Sequence, residues 1–133
     1  MKKIVIIPAY NEQNNIINVI DDLKKNAPDF DYVIVNDGST DDTVSLCVEN
    51  GLNAVNLPVN LGIGACVQTG YIYALEKGYD IAVQFDGDGQ HKAKYLEKMY
   101  NEMIKTGSDM VIGSRYLIKD GFQSTALRRI GIR

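Results

Sequence analysis

Short apolar runs alternate along the chain with segments whose apolar residues recur at helical spacing. The predicted strands cover residues 3–7, 32–35, 53–57 and 80–85, and a fifth begins at 110–112. Four helices are predicted. The first covers about 12–26, the second runs from the start signal at 39–42 to Gly51, and the third covers 64–77. The fourth contains Leu96, Met99, Tyr100 and Met103 and ends at Gly107. Strands that are apolar throughout are typical of sheets buried on both faces. The pattern predicts an α/β fold, a mostly parallel sheet with helices on both faces.

Length and charge narrow the class of protein. The chain has 133 residues, which predicts one domain over 1–133, and its 45% hydrophobic content is that of a globular protein. With 14 basic and 17 acidic residues it lacks the basic stripe of nucleic-acid binders, so no nucleic-acid partner is expected. No apolar run approaches the ~20 residues of a membrane span, and the apolar start fits a first strand ended by Pro8 better than a signal peptide. We therefore expect a cytoplasmic protein.

The two cysteines, Cys47 and Cys66, each lie within a helical apolar pattern and lack Cys-x-x-Cys spacing. A thiol nucleophile or a metal ligand is one interpretation. A small buried hydrophobic residue is the favoured one, because free cysteine is among the most buried residue types.

Polar and glycine residues follow every predicted strand, whereas the opposite strand ends carry ordinary connectors. The segments that follow the strands are 8–12, 36–42, 60–64, 86–91 and 113–116. In open α/β sheets, ligands bind at the carboxyl ends of the strands. After the fourth strand, Asp86 and Asp88 present two carboxylates one residue apart, with glycines that permit a tight loop. Such oxygen donors suit Mg²⁺ or Mn²⁺.

The kind of ligand follows partly by elimination. A phosphate-binding Gly-x-x-x-x-Gly-Lys-Ser/Thr is absent, and no Gly-x-Gly-x-x-Gly follows the first strand. Gly62 and Gly64 follow the third strand and lack the third glycine at the required spacing. A diphosphate bound through a metal ion, with its base held by the first two loops, fits better, since the metal neutralises the phosphates beside an acidic loop.

Five motifs in order resemble the nucleotide-binding half of a family 2 glycosyltransferase with the GT-A fold. They lie at 6–12, 35–43, 60–62 with Gly70, 86–91 and 113–116. The last two are most similar to the polyprenyl-phosphate branch, which includes dolichyl-phosphate mannosyltransferases. One departure is His91-Lys92, where the family usually has His-Pro.

The resemblance implies a role for each matching residue on the nucleotide side. Pro8, Tyr10 and Glu12 would line the nucleoside pocket, and Asp37 would accept a hydrogen bond from the base. Gly62 would belong to the third loop of the nucleotide-sugar site. Beside these, Asp41 and Asp42 are interpreted as helix caps, and His91 as an orienting residue.

The resemblance also implies a metal site and a phosphate site. Asp86 would face the ribose or the metal, Asp88 would ligate Mg²⁺ or Mn²⁺, and Gln90 would be a further ligand. Asp88 and Arg115 would be the catalytic residues, with Arg115 contacting a phosphate of donor or acceptor. Other candidates for the acceptor phosphate are Arg128, Arg129 and Arg133.

The implied reaction is metal-dependent, inverting sugar transfer from a nucleoside-diphosphate sugar, with UDP preferred to GDP, to polyprenyl phosphate. Two alternatives stay open: transfer to a saccharide hydroxyl in cell-surface polysaccharide synthesis, and a non-catalytic nucleotide-sugar-binding fragment. A nucleotidyltransferase fits less well, because the loop at 8–12 lacks glycines and a basic residue.

The family domain usually continues beyond this length. We therefore expect a chain truncated at its C-terminus, the N-terminal part of a longer catalytic domain. Apolar surface left uncovered would favour a homo-oligomer. Peripheral association with the inner face of the membrane is also expected.

Overall fold

The computed structural model describes residues 1–114, which contain four strands and four α-helices. In chain order the elements are β1 (Lys3–Ala9), α1 (Ile16–Asn26), β2 (Asp31–Asn36), α2 (Thr43–Glu49), β3 (Ala54–Asn56), α3 (Ile63–Glu76), β4 (Ile81–Gln84), a 3₁₀ turn (Ala93–Tyr95) and α4 (Leu96–Thr106). The predicted α/β class is confirmed.

The four strands form one parallel sheet in the order β3-β2-β1-β4. The chain moves outward from β1 to β2 and β3, and then crosses back so that β4 lies on the other side of β1. Because such crossovers are right-handed, α1 and α2 cover one face of the sheet and α3 covers the other. The strand order reverses between β1 and β4, and this reversal is where open α/β sheets bind ligands.

The core explains why the strands are apolar throughout. Ile4 and Ile6 of β1 pack in one cluster with Val33, Val35 and residues of α3. Val5 alternates with them along β1 and is equally buried, so both faces of the sheet are covered. Helix α3 approaches β1 closely at Gly70, where an added Cβ would lie 2.2 Å from Cγ2 of Ile6.

The prediction that Pro8 ends the first strand is wrong, since β1 continues to Ala9. The carbonyl of Ile6 accepts the N–H of Phe85, and the carbonyl of Ala9 accepts the N–H of Asp37. The backbone N–H and C=O groups of even-numbered residues of β1 therefore point toward β4, and those of odd-numbered residues point toward β2. The backbone nitrogen of Pro8 points toward the β4 side, where the pairing of β1 with β4 has already ended at Ile6. Its missing N–H therefore removes no bond to β2.

The predicted fifth strand is also wrong. Residues 110–112 form no strand, and the side chains of Met110 and Ile112 are 75% and 81% exposed. A strand exists only where a neighbour exchanges hydrogen bonds with it, and this segment pairs with none of the four strands described. Helix α1 begins at Ile16 rather than near residue 12, because the Glu12 carbonyl first closes a turn by accepting the N–H groups of Asn15 and Ile16.

The chain forms two compact units, Met1–Leu96 and Glu97–Arg133. The first contains the whole sheet, and the second contains nearly all of α4. The assignment of 1–133 to a single domain stays a prediction. Within residues 1–114, no helix is long and apolar enough to cross a membrane. The candidate phosphate-binding residues Arg115, Arg128, Arg129 and Arg133 lie outside the described residues.

Candidate functional site

A cavity of about 360 Å³ opens at the carboxyl ends of β1, β2 and β4, beside the N-terminus of α3. This volume is in the range of small-molecule pockets. Seven of the residues predicted to bind a nucleotide-sugar line it together: Pro8, Tyr10, Glu12, Asp37, Gly62, Asp86 and Asp88. The structure thus brings residues from four separate loops to one place, at the reversal of strand order.

The loop after β4 folds closely over the end of β1. A Cβ on Gly87 would lie 3.0 Å from the carbonyl oxygen of Pro8 and 3.4 Å from Cγ2 of Ile7. A larger residue at 87 would therefore push this loop away from the strand. The glycine lets Asp86 and Asp88, on either side of it, reach the cavity next to the β1 residues.

Asp37 is almost fully buried, with 4% of its surface exposed, and its carboxylate holds the loop before α3. Its Oδ1 accepts the N–H of Leu61 at 2.7 Å, and its Oδ2 accepts the N–H of Gly62 at 2.9 Å. Both oxygens thus have backbone partners within the protein. The predicted hydrogen bond to a nucleotide base would have to use the remaining lone pairs, and it stays a prediction.

The loop after β2 lies against the loop before α3 at a second point. Gly38 has φ of +66°, and an added Cβ would lie 2.7 Å from the backbone nitrogen of Asn60. Only glycine satisfies both the backbone angle and this close approach. Asn60 also lines the cavity, although it was not among the predicted site residues.

A set of hydrogen bonds that sequence reasoning missed joins the loops after β1 and β2. Asn11 has φ of 52°, and its side-chain Oδ1 accepts the N–H groups of Thr40 at 2.8 Å and Asp41 at 3.3 Å. The N–H of Asn11 donates to Oγ of Ser39 at 3.0 Å, and that of Glu12 to Oγ1 of Thr43 at 2.9 Å. The two loops therefore form one rigid wall of the cavity. Partners about 30 residues apart leave no local sequence signal.

The cap predicted for α2 is formed by only one of the two aspartates. Asp41 accepts the N–H of Thr43 at 2.9 Å, whereas Asp42 makes no side-chain cap hydrogen bond. Burial by itself would raise the pKa of Asp41, but the hydrogen bonds from Thr43 and Gln13 outweigh it and lower the pKa. Asp41 is thereby kept ionised at the helix start.

The predicted metal residues differ in their placement. Asp86 and Asp88 line the cavity, and Oδ1 of Asp88 accepts the N–H of Gln90 at 2.9 Å. The Gln90 residue is exposed and does not line the cavity. The N–H of Asp86 donates to Nδ1 of His91 at 3.0 Å. The loop is thus organised by contacts of its own residues.

The donors in this cavity fit a hard divalent cation that is completed by other ligands. The described residues that line it include four carboxylates and no Lys or Arg side chain. Residues 1–114 contain no group of three or more His, Cys, Asp or Glu arranged to hold a metal on their own. Mg²⁺ and Mn²⁺ sites commonly use one or two carboxylates and take the remaining positions from phosphates and water. Asp86 and Asp88 match that donor set.

A second depression, of about 400 Å³, lies at the opposite, amino-terminal ends of the strands. Two pairs of its lining residues are joined by hydrogen bonds: the Tyr79 hydroxyl donates to Asp31 at 2.8 Å, and the Asn53 amide donates to the backbone carbonyl of Tyr32. Burial, together with Asp31, raises the pKa of Tyr79 to about 12. These contacts stabilise the sheet edge, and none of the motif residues is present there.

Both cysteines are free and buried, which confirms their interpretation as small hydrophobic residues. Burial raises the pKa of the Cys66 thiol to about 11, and the nearby negative charge of Asp37 adds to the shift. Burial also raises the pKa of Cys47. Both thiols are therefore protonated at neutral pH and are poor nucleophiles.

The model of the family described as "Glycosyl transferase family 2" matches residues 4–131. The chain belongs to glycosyl transferase family 2. The resemblance seen in the five motifs is thereby confirmed. Since the match covers nearly the whole chain, the cavity at the strand ends belongs to the part of the chain that defines the family.

Curated relatives of this family 2 chain include enzymes of the polyprenyl-phosphate branch. It is 31% identical to polyprenol monophosphomannose synthase of Mycolicibacterium smegmatis, over 87% of this chain and 46% of that protein. It is 34% identical to UDP-N-acetylglucosamine--dolichyl-phosphate N-acetylglucosaminyltransferase of Methanococcus voltae, over 94% of this chain and 56% of that protein. The chain spans about half the length of the curated relatives it matches.

Solved structures support the predicted fold. The complex of glucosyl-3-phosphoglycerate synthase from Mycobacterium tuberculosis with UDP matches with a TM-score of 0.61 and 25% identity, over 80% of this chain and 40% of that one. The complex of the same enzyme with Mn²⁺, UDP and glucosyl-3-phosphoglycerate matches with a TM-score of 0.59 and 24% identity, over 77% of this chain and 39% of that one. The GT-A fold is thereby confirmed.

Proposed function

We propose that this chain is the nucleotide-sugar-binding part of a metal-dependent, inverting glycosyltransferase. It would transfer a sugar from a nucleoside-diphosphate sugar, UDP in preference to GDP, to a polyprenyl phosphate. The observation that carries the proposal is the convergence of Tyr10, Asp37, Asp86 and Asp88 in one cavity at the reversal of strand order.

The nucleoside would bind on the side of the cavity formed by the loops after β1 and β2. Tyr10 is 46% exposed and offers an aromatic surface to a base, while Pro8 and Glu12 lie beside it in the cavity wall. Two names support UDP: the Methanococcus relative is named for a UDP-sugar, and the mycobacterial structure holds UDP.

The diphosphate would lie near the loop after β4. Its negative charge would meet a wall of carboxylates with no Lys or Arg among the described lining residues, so binding requires a cation. Asp86 and Asp88 would hold Mg²⁺ or Mn²⁺, with Gln90 as a further ligand. When bound, the cation neutralises charge on the leaving diphosphate and orients it. The presence of both Mn²⁺ and UDP in the mycobacterial complex supports this assignment.

The acceptor would be polyprenyl phosphate, as the names of the relatives suggest. A phosphate acceptor is already an anion and needs no general base, whereas a saccharide hydroxyl would need one. Arg115, Arg128 and Arg129 are proposed to hold the acceptor phosphate, with Arg115 acting in catalysis. Such an acceptor would bring the protein to the inner face of the membrane.

We also propose that the chain self-associates. Helix α3 exposes apolar side chains on one side, and Ile72 and Leu75 are 50% and 79% exposed. Light scattering over a range of concentrations tests this: a mass of two or more chains is expected, and a monomer at the highest concentration would refute it.

Calorimetric titration of the chain with UDP and with GDP, each in Mn²⁺ and in EDTA, tests the donor site. We expect UDP to bind in Mn²⁺ and to lose most of its affinity in EDTA. Asp29→Asn, a change in the exposed turn before β2, serves as a control and should bind like the wild type. The absence of binding for both nucleotides would refute the donor site. Tighter binding of GDP than of UDP would change only the proposed base and would leave the donor site as proposed.

A radiolabelled UDP-sugar with polyprenyl phosphate or an oligosaccharide then tests the acceptor. Product that extracts into organic solvent is expected only with the lipid. Donor binding without transfer to either acceptor would favour the non-catalytic alternative for this chain.

A further inference from the structure

His91, the only histidine in the chain, contacts Asp86 at two points. Its Nδ1 accepts the backbone N–H of Asp86 at 3.0 Å, and its Nε2 lies 3.5 Å from Oδ2 of the same residue. The ring also stands edge-on to Phe85, with 5.4 Å between ring centres, and Phe85 is buried in the core. One ring thus ties the main chain and the carboxylate of Asp86 to a fixed part of the fold.

The hydrogen bond from the Asp86 N–H to Nδ1 assigns the tautomer of the His91 ring. A ring nitrogen that accepts a hydrogen bond carries no proton, so the proton of the neutral ring is on Nε2, which faces the Asp86 carboxylate. At 3.5 Å this contact is longer than a direct hydrogen bond. It orients the carboxylate by its dipole while leaving the oxygen lone pairs available to a ligand in the cavity.

We propose that His91 is a positioning residue for divalent-cation binding by Asp86. The inference rests on the proposed function, which makes Asp86 part of the cation site. Gly87 lets the loop approach β1, but nothing in that contact fixes the direction of the Asp86 side chain. His91 does so from the opposite end of the loop. Partners that orient metal-binding groups typically change metal affinity about 10- to 100-fold when removed.

Three substitutions separate the parts of this role. His91→Ala removes both contacts. His91→Asn places an amide oxygen near the position of Nδ1 and can still accept the Asp86 N–H. His91→Gln reaches toward the position of Nε2 and leaves that N–H without its acceptor.

The measurement is UDP affinity by calorimetry in Mn²⁺ and in EDTA. His91→Ala should weaken binding in Mn²⁺ by about tenfold or more, whereas His91→Asn and His91→Gln, each of which loses one of the two contacts, should weaken it by a smaller factor. Affinity in EDTA should be unchanged in all three. Wild-type affinity of His91→Ala in Mn²⁺, or an equal loss in EDTA, would overturn the proposal.

A second experiment does not need a nucleotide. Because the chain has one histidine, ¹⁵N-histidine labelling gives ring-nitrogen NMR signals that need no assignment. We expect the tautomer protonated on Nε2, and broadening of both signals by Mn²⁺ alone that is lost in Asp88→Asn. Signals unaffected by Mn²⁺, or a proton on Nδ1, would refute the positioning role. Failure of UDP to bind, with these NMR results intact, would refute the donor assignment instead.

Discussion

The carboxylate of Asp37 holds the backbone of Gly62, whose N–H donates to its Oδ2 at 2.9 Å. Together with the bond from Leu61, this contact fixes the loop that leads from β3 into α3 along the wall of the cavity. The loop carries no regular structure of its own, and residues 57–62 form neither helix nor strand. A buried charge therefore replaces secondary structure in shaping this wall.

Replacement of Asp37 should destabilise the fold as well as the site. Asp37→Ala leaves two N–H groups without their acceptor, and we expect the free energy of unfolding to fall by about 2–3 kcal/mol. Asp37→Asn keeps one carbonyl oxygen and should lose about half as much. Urea unfolding of both variants measures this. Equal stability of Asp37→Ala and the wild type would show that solvent satisfies these N–H groups and that the loop is held by other contacts.

Asp88→Ala should separate binding from stability. Asp88 belongs to an irregular loop, and among residues 1–114 its carboxylate accepts only the nearby N–H of Gln90, so the free energy of unfolding should change by less than about 0.5 kcal/mol. Under the proposed function, UDP affinity in Mn²⁺ should fall to the level seen in EDTA. Calorimetry and thermal unfolding of one preparation measure both quantities. Metal-dependent binding that survives the substitution would contradict the metal assignment.

Asn11 offers a test of the rigid wall between the first two loops. Its φ of 52° is unfavourable for alanine but easy for glycine. Asn11→Gly and Asn11→Ala both remove the side-chain bonds to Thr40 and Asp41, so both should weaken UDP binding. Only Asn11→Ala adds backbone strain, and it should be about 1 kcal/mol less stable than Asn11→Gly.

Urea unfolding compares the two variants, and calorimetry gives their UDP affinities. If both variants keep wild-type affinity, the hydrogen bonds between these loops do not shape the nucleoside side of the cavity. If the Asn11→Ala variant is as stable as the Asn11→Gly variant, the loop has relaxed to a different backbone conformation.

The location of the site could be predicted from the sequence, because parallel strands bring their carboxyl ends to one edge wherever the helices lie. The motif residues after β1, β2 and β4 therefore had to meet, as Tyr10, Asp37 and Asp86 do. The contacts that hold them could not be predicted. The hydrogen bonds that Asp37 accepts from Gly62 and Asn11 accepts from Thr40 join residues 25 and 29 positions apart and have no local pattern.

The two errors in the predicted strands have a common cause. A strand is defined by its neighbours, and single-segment patterns do not contain that information. Pro8 continues β1 because its missing N–H faces away from β2, and the apolar residues 110–112 form no strand because they pair with none of the described strands.

Gly70 tests how closely α3 packs on the sheet. In an exposed helix, Gly→Ala would stabilise the protein by about 0.5–1 kcal/mol. Here the new methyl group would lie 2.2 Å from Cγ2 of Ile6, so we expect Gly70→Ala to lower the free energy of unfolding by about 1–3 kcal/mol.

Gly64→Ala, in the same helix but with open space around it, is the matched control and should not destabilise the protein. Adding Ile6→Ala to Gly70→Ala removes the clash, and a double-mutant cycle should give a favourable coupling energy. Additive effects would mean that the helix shifts to admit the methyl group.

The pKa of the Cys66 thiol is shifted in the direction opposite to that of a reactive cysteine, so its ionisation requires a higher pH. Its pKa is raised from an ordinary 9.0 to about 11 by burial and by the charge of Asp37. At pH 9 about half of the unfolded thiol is ionised but only about 1% of the native one. In the Cys47→Ala variant, where Cys66 is the remaining thiol, alkylation of the native chain should therefore be at least about fiftyfold slower than in denaturant, since burial also limits access of the reagent. Because the unfolded state loses its proton first, the stabilisation is complete below pH 9 and is lost as the pH rises toward 11. Iodoacetamide labelling across this range measures the effect, and equal rates in the native and denatured chains at pH 9 would contradict it.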